Sequence, residues 1–141
     1  MKNDLLSEEP KSYRTVTGDF EKINVEHLSR LRVLGKVARL SVSSGGRVFI
    51  EGNVEYADVA YKGEAIIIGN VKTAMAREYG VIDVAGKISE AYAIHGGKIV
   101  ASEDIGLAKA SVSGEIRSIG KIEQGDAFHA GTINGLKVHH N

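Results

Sequence analysis

The chain has 141 residues, and its 18 basic side chains balance 18 acidic ones to a formal net charge of zero. That balance argues against a nucleic-acid binder, which needs a basic surplus on one face. With no cysteine, neither a disulfide framework nor a cysteine-based metal site can form, which fits a reducing compartment. The length suits one domain with a substantial core, and no apolar run approaches the length of a membrane span.

Residues 1–11 mix acids and lysines around Pro10, with Leu5 and Leu6 as the only apolar pair. They predict a flexible N-terminal tail without an apolar leader region. An arm that touches a neighbour or a membrane surface through Leu5 and Leu6 is the sharper reading, and any membrane contact is expected only there.

From residue 12 onward the sequence repeats with a period of seventeen. Glycine recurs as Gly46, Gly63, Gly80, Gly97, Gly114 and Gly131. A second column, six residues later, holds Gly52, Gly69, Gly86 and Gly120, broken once by Glu103. Apolar columns lie between them, so the run from Gly46 to Val54 reappears from Gly63 to Val71 and again from Gly80 to Ile88. A fixed short period is the signature of a solenoid. The columns run back through Leu31, Val33, Gly35 and Val37 to Arg14, Val16, Gly18 and Phe20, where Arg14 degrades the pattern as a capping turn would. Forward they reach Ile133, Gly135 and Lys137.

Within a turn the alternation has period two, with Val48, Ile50 and Val54 inward against Arg47, Phe49 and Glu51 outward. It then slips by one, so that Ala57 and Val59 come next inward, and a slip of parity means a corner. Three near-equal steps per turn predict a three-sided coil. The expectation is an all-β parallel β-helix of about seven and a half turns, a rod of roughly 35 Å. Domain boundaries are a tail at 1–11, the solenoid at 12–138 and a C-terminal end at 139–141. Corner glycines are expected to supply positive φ, with Gly52-Asn53 and Gly69-Asn70 as corner chemistry.

The outward side of the first face carries Phe49, Ile66, Ile68, Val100 and Ile119, a stripe that predicts a lateral interface. The ends matter as well, because the last strand of a solenoid has unpaired backbone groups. Residues 131–138 look strand-like with no capping helix, so a second copy could add its own turn there through Ile133, Leu136 and Val138. Tyr13 and Val16 would serve the opposite end. His95 and His129 share a column two turns apart, about 9.6 Å, too far for one metal ion. His139 and His140 form a terminal pair that supports no more than adventitious metal binding. Asp83, Glu103, Asp104 and Asp126 do not pair, and no phosphate loop is visible. Neither cofactor, metal nor catalysis is expected.

The turn Gly-x-Val-x-Ile-x-Gly-Asn-Val-x-x-Ala-x-Val, best carried by 46–59, 63–76 and 80–93, resembles the bactofilins, polymer-forming cytoskeletal proteins. The resemblance implies a right-handed, three-sided β-helix that assembles end to end without nucleotide into a cytoplasmic scaffold, alone or with other cytoskeletal or membrane-associated proteins. Family members often place an aromatic residue at the terminal joint, and Phe128, one turn early, is the nearest here. The same pattern is similar to the solenoid of the flagellar-assembly-protein-A-like family, through Gly45-Gly46 and Gly96-Gly97, and to the Gly-rich solenoid of glutamate synthase and formylmethanofuran dehydrogenase subunits. The leading expectation is therefore a self-assembling scaffold. The alternative is a non-catalytic module that docks on a larger partner. A hexapeptide-type acyltransferase using His95 or His129 ranks third, because those enzymes have eighteen-residue turns.

Overall fold

A computed structural model describes residues 13–135 and the backbone of 137–140. The expected tail at 1–11 and Leu136 lie outside the described residues. Among the described residues sixteen strands follow one another without a helix: β1 (Arg14–Thr17), β2 (Phe20–Val25), β3 (Arg30–Leu34), β4 (Val37–Val42), β5 (Arg47–Glu51), β6 (Val54–Val59), β7 (Glu64–Ile68), β8 (Val71–Arg77), β9 (Val81–Val84), β10 (Ile88–Ile94), β11 (Lys98–Ala101), β12 (Ile105–Ser111), β13 (Glu115–Ser118), β14 (Lys121–Phe128), β15 (Thr132–Asn134) and β16 (Lys137–His140). Odd strands form one eight-stranded sheet and even strands the other. Val48 pairs with Ala65 and Ala57 with Ala74, so each turn lies on the last at an offset of seventeen, in parallel. The chain is an all-β solenoid of about seven turns, as the period predicts.

The three expected sides are carried by two sheets, because the second one bends. In β6, Val54 is buried, Glu55 and Tyr56 are both exposed, and Ala57 and Val59 are buried again. The parity slip therefore falls inside a strand whose hydrogen-bonded ladder continues through it.

The bore is filled by columns that trade volume. Leu40 gives way to Ala57, Ala74, Ala91 and Ala108, all buried. Across the bore Ala65 gives way to Ile82, Ile99 and Ile116, also fully buried. A core at close packing needs this compensation, since neither column can grow alone. Ser118 is the buried polar side chain among the described residues, and its hydroxyl donates to the Glu103 carbonyl at 2.6 Å.

The two corners of a turn are built differently. At the first, side chains of Asp19, Asn53, Asn70 and Asp104 each accept the backbone N–H seventeen residues on, at 2.9–3.1 Å. This is the corner chemistry expected of Gly-Asn, extended into a ladder. At the second, two consecutive residues have positive φ, as in Tyr61 (50°) and Lys62 (64°). The next residue, Gly63, donates to the Ala60 carbonyl at 2.9 Å. This is the pattern of a type I′ turn. It recurs seven times, and twelve of its fourteen left-handed residues are not glycine.

That corrects the expectation for the first glycine column. Gly80 and its equivalents follow the left-handed pair and do not have positive φ themselves. They are glycine because a Cβ on Gly80 would run into the Val59 carbonyl of the preceding turn. Ser29 holds the same place in the first turn, where the residue twenty-one positions back, Glu8, lies outside the described residues.

A second correction concerns the last turn. The period places Lys137 beside Gly120, but β16 pairs Lys137 with Lys121 and Val138 with Ile122. Dropping one residue at the corner puts Val138, rather than His139, in register with the Ile105–Ile122 column.

Candidate functional site

Buried side chains fill the bore, so the candidate sites are the outer surfaces. The lateral stripe lies where the alternation places it, on the outside of the odd-strand sheet, but it is interrupted. Phe49 pairs in register with Ile66, and Ile68 lies two residues along the same strand. Beyond them the column reads Asp83, Val100, Arg117. The structure thus gathers Phe49, Ile66 and Ile68 into one patch and separates Val100 and Ile119 from it. Phe49, Ile66 and Val100 are half-buried, whereas Ile68 and Ile119 are exposed. Arg47 pairs with Glu64 at 2.9 Å and Arg32 with Glu51 at 3.0 Å, so ion pairs edge the patch.

Five of the six expected end residues are described, and they divide between the two ends. Tyr13 and Val16 belong to the first turn; Tyr13 lies under the Arg30 guanidinium at 6.0 Å, and Val16 packs on the core from β1. Phe20 and Ile23 of β2 pack beside it and belong to the same end surface. Their signal was the offset of seventeen from Val37 and Leu40. At the other end, Ile133 of β15 packs on the core, and Val138 lies in β16. Phe128 ends β14, exposed, with its ring edge-on to His129 at 5.5 Å. Among the described residues, no helix or loop covers the outer edges of β1 and β2 or of β15 and β16.

His95 and His129 sit in the same left-handed turn position, exposed, with Val112 between them. Among the described residues no three metal-ligating side chains converge. Two surface grooves, about 630 and 600 Å³, cross the first turns of the even-strand sheet and are lined by Glu21, Ala38 and Glu55 in common.

Electrostatics on this outer surface are local. Arg77 binds Asp58 through two nitrogens at 3.1 and 3.2 Å and lies over the Tyr61 ring at 5.9 Å. The hydrogen bond to Asp58 raises the Arg77 pKa above the ordinary arginine value. Tyr92 donates to Glu90 at 2.9 Å, and that bond, helped by partial burial, raises its pKa.

Sequence reasoning missed one surface. The left-handed turns stack into a ridge that presents Leu28, Tyr61, Tyr79, Val112 and, beside them, Phe128. The spacing was readable, but nothing in Tyr, Glu, His or Val announces a positive φ.

No family model matches the chain, and neither does any curated protein or solved structure compared with it.

Proposed function

We propose that the protein is a non-catalytic scaffold that polymerises by stacking its solenoids end to end. The observation that carries this reading is the pair of open ends, where both sheets present strand edges among the described residues. Unpaired N–H and C=O groups on such an edge form a template for another strand. Apolar side chains flank the template at each end: Val16, Phe20 and Ile23 at one, Ile133 at the other. Addition of a further turn gives every edge group a partner at the spacing already used along the rod, about 4.8 Å. No nucleotide is needed, because strand pairing and apolar burial supply the association. The partner is another copy of the chain, and the resemblance to the bactofilins points the same way, toward a cytoplasmic filament.

A charge placed at the joint tests this. Ile133→Lys is expected to abolish sedimentable polymer while leaving the circular dichroism of the fold unchanged, and Val16→Lys should do the same from the opposite end. Polymer yield equal to wild type in both variants would refute the end-to-end reading.

The patch of Phe49, Ile66 and Ile68 supports a second reading, a module that docks on a partner protein. Ile66→Lys with Ile68→Lys separates the two: lost partner capture with intact polymer favours docking, and thinner or unbundled filaments favour lateral association.

A further inference from the structure

We propose that residues 2–7 of this chain pair as a releasable strand on the outer edge of β2, with Glu8 reaching Arg14, and so govern stacking at the first-turn end. The proposal rests on the end-to-end reading, because this is one of the two ends that stack. The end face offers apolar surface and an unanswered charge. Val16, Phe20 and Ile23 are only partly buried there. Arg14 heads a column that continues as Leu31, Val48 and Ala65, so the residues that follow it along the rod are apolar. Arg14 is exposed, and no ion pair among the described residues includes it.

Length, register and charge identify the occupant. Twelve residues precede Tyr13, enough for one strand and a link. Counted back by seventeen, Leu6 falls on Ile23 and extends the column of Ile23 and Leu40. Lys2 falls on Asp19, an acid whose column neighbour on the other side is Lys36. Asp4 falls on Glu21, with the exposed Lys22 next to it. Glu8 falls on Val25, which heads the column of Val42 and Val59. Val25 and Leu31 are the apolar residues on either side of the second corner, as are Val42 and Val48 one turn on. Glu8 and Arg14 take these two places at the end of the rod. The apolar pattern is thus broken twice, by opposite charges, at adjoining positions, and an ion pair there answers Arg14. The edge of β2 supplies the backbone partners for the added strand.

The link makes the strand releasable. Residues 9–12 join Glu8 to Tyr13, just as 26–29 join Val25 to Arg30. The first full corner turns at His27, whose φ is 53°, and Leu28 locks it by donating to the Ser44 carbonyl at 3.2 Å. Pro10 falls on His27, and a proline ring holds φ at about −65°. Ser29 adds a second obstacle. A Cβ at its equivalent, Gly46, would come within 2.9 Å of the Val25 carbonyl oxygen, so Ser29 crowds the corresponding carbonyl of Glu8. The added strand therefore cannot close with the turn that locks all the others. It is held by β2, by Leu6 on the end face and by the charge pair, and a second copy competes for the same edge.

The chain has no cysteine, so introduced thiols report cleanly. In the full chain carrying Leu6→Cys and Ile23→Cys the two thiols sit on neighbouring strands about 4.8 Å apart, within reach of a disulfide. Mild oxidation, at a concentration too low for polymer, is expected to join them within one chain. The readout is loss of free thiol with the single chain retained on a non-reducing gel. Linking no greater than in Leu6→Cys with Ser89→Cys, an exposed control in β10, would overturn the proposal, and so would links formed only between chains. Added to the Leu6–Ile23 thiol pair, Glu8→Arg or Arg14→Glu should each cut linking by about threefold or more. The two together should restore it, and no recovery would overturn the Glu8–Arg14 contact. In the chain without thiols, Glu8→Arg should let filaments form at a protein concentration about threefold lower, with an unchanged circular dichroism spectrum. An unchanged onset would overturn the regulatory role. Because the thiol assay needs no polymer, a failure of end-to-end assembly and a failure of the added strand remain distinguishable.

Discussion

Each turn of this solenoid has two corners that solve the same problem by opposite means. At the Gly52–Asn53 corner the backbone dictates the residues. Gly69 must lack a Cβ because the Gly52 carbonyl occupies its place, and Asn70 must accept the Lys87 N–H at 2.9 Å. At the Tyr61–Lys62 corner only the closing Gly63 is dictated; the two left-handed residues before it are not the ones the backbone would choose. Left-handed φ costs a side-chain-bearing residue about 1 kcal/mol or more, yet Tyr61, Glu78, His95 and Val112 occupy that position. Glycine or asparagine would be cheaper there. The difference teaches where the demands of packing end: the first corner is shaped by the fold, and the second leaves its two left-handed positions to side chains that the packing does not choose.

The largest expected effect breaks the closing glycine of the second corner. Gly80→Val drives a side chain into the Val59 carbonyl, and chemical denaturation should show a loss of about 3 kcal/mol or more. At the first corner Asn70→Ala removes one acceptor of the ladder and leaves the Lys87 N–H without it. A loss of about 1 kcal/mol is expected in the same assay. The comparison sharpens at the left-handed position itself. Glu78→Gly relieves its φ of 50°, so urea unfolding at low protein concentration should show a gain of about 0.5–1 kcal/mol. A gain there beside a loss at Asn70 is the contrast the two corners predict, and losses at both would erase it.

The smallest effect lies on the flat run between the corners. Tyr92 donates to Glu90, and its raised pKa means that the protonated hydroxyl is favoured in the folded state. Its contribution is therefore fully present below the ordinary tyrosine range, near pH 10, and is lost as pH rises through the higher folded value. Tyr92→Phe should flatten that alkaline fall in thermal stability and change little at neutral pH.

Most of the fold was legible because packing writes itself into columns. Val48, Ala65, Ile82 and Ile99 line up by counting seventeens, and so do the alanines from Ala57 to Ala108. The same count already contained the break in the lateral stripe, since in the Phe49 column Asp83 falls between Ile66 and Val100, and Arg117 follows Val100. The left-handed turns were not legible, because Tyr61-Lys62 and Glu78-Tyr79 carry no glycine or asparagine to mark them. Stacked turns hold them there, through hydrogen bonds such as Lys62 to Glu78, and that support is tertiary. The one-residue slip before β16 was hidden for a related reason: it depends on which residue best continues the Ile122 position, not on the period.

Diffraction from oriented assemblies of the purified protein tests the central claim most directly. If solenoids stack end to end, filaments form without nucleotide and the strand spacing of about 4.8 Å falls on the meridian, along the filament axis. Discrete particles at high concentration, or filaments whose strand reflection lies off that axis, would contradict it.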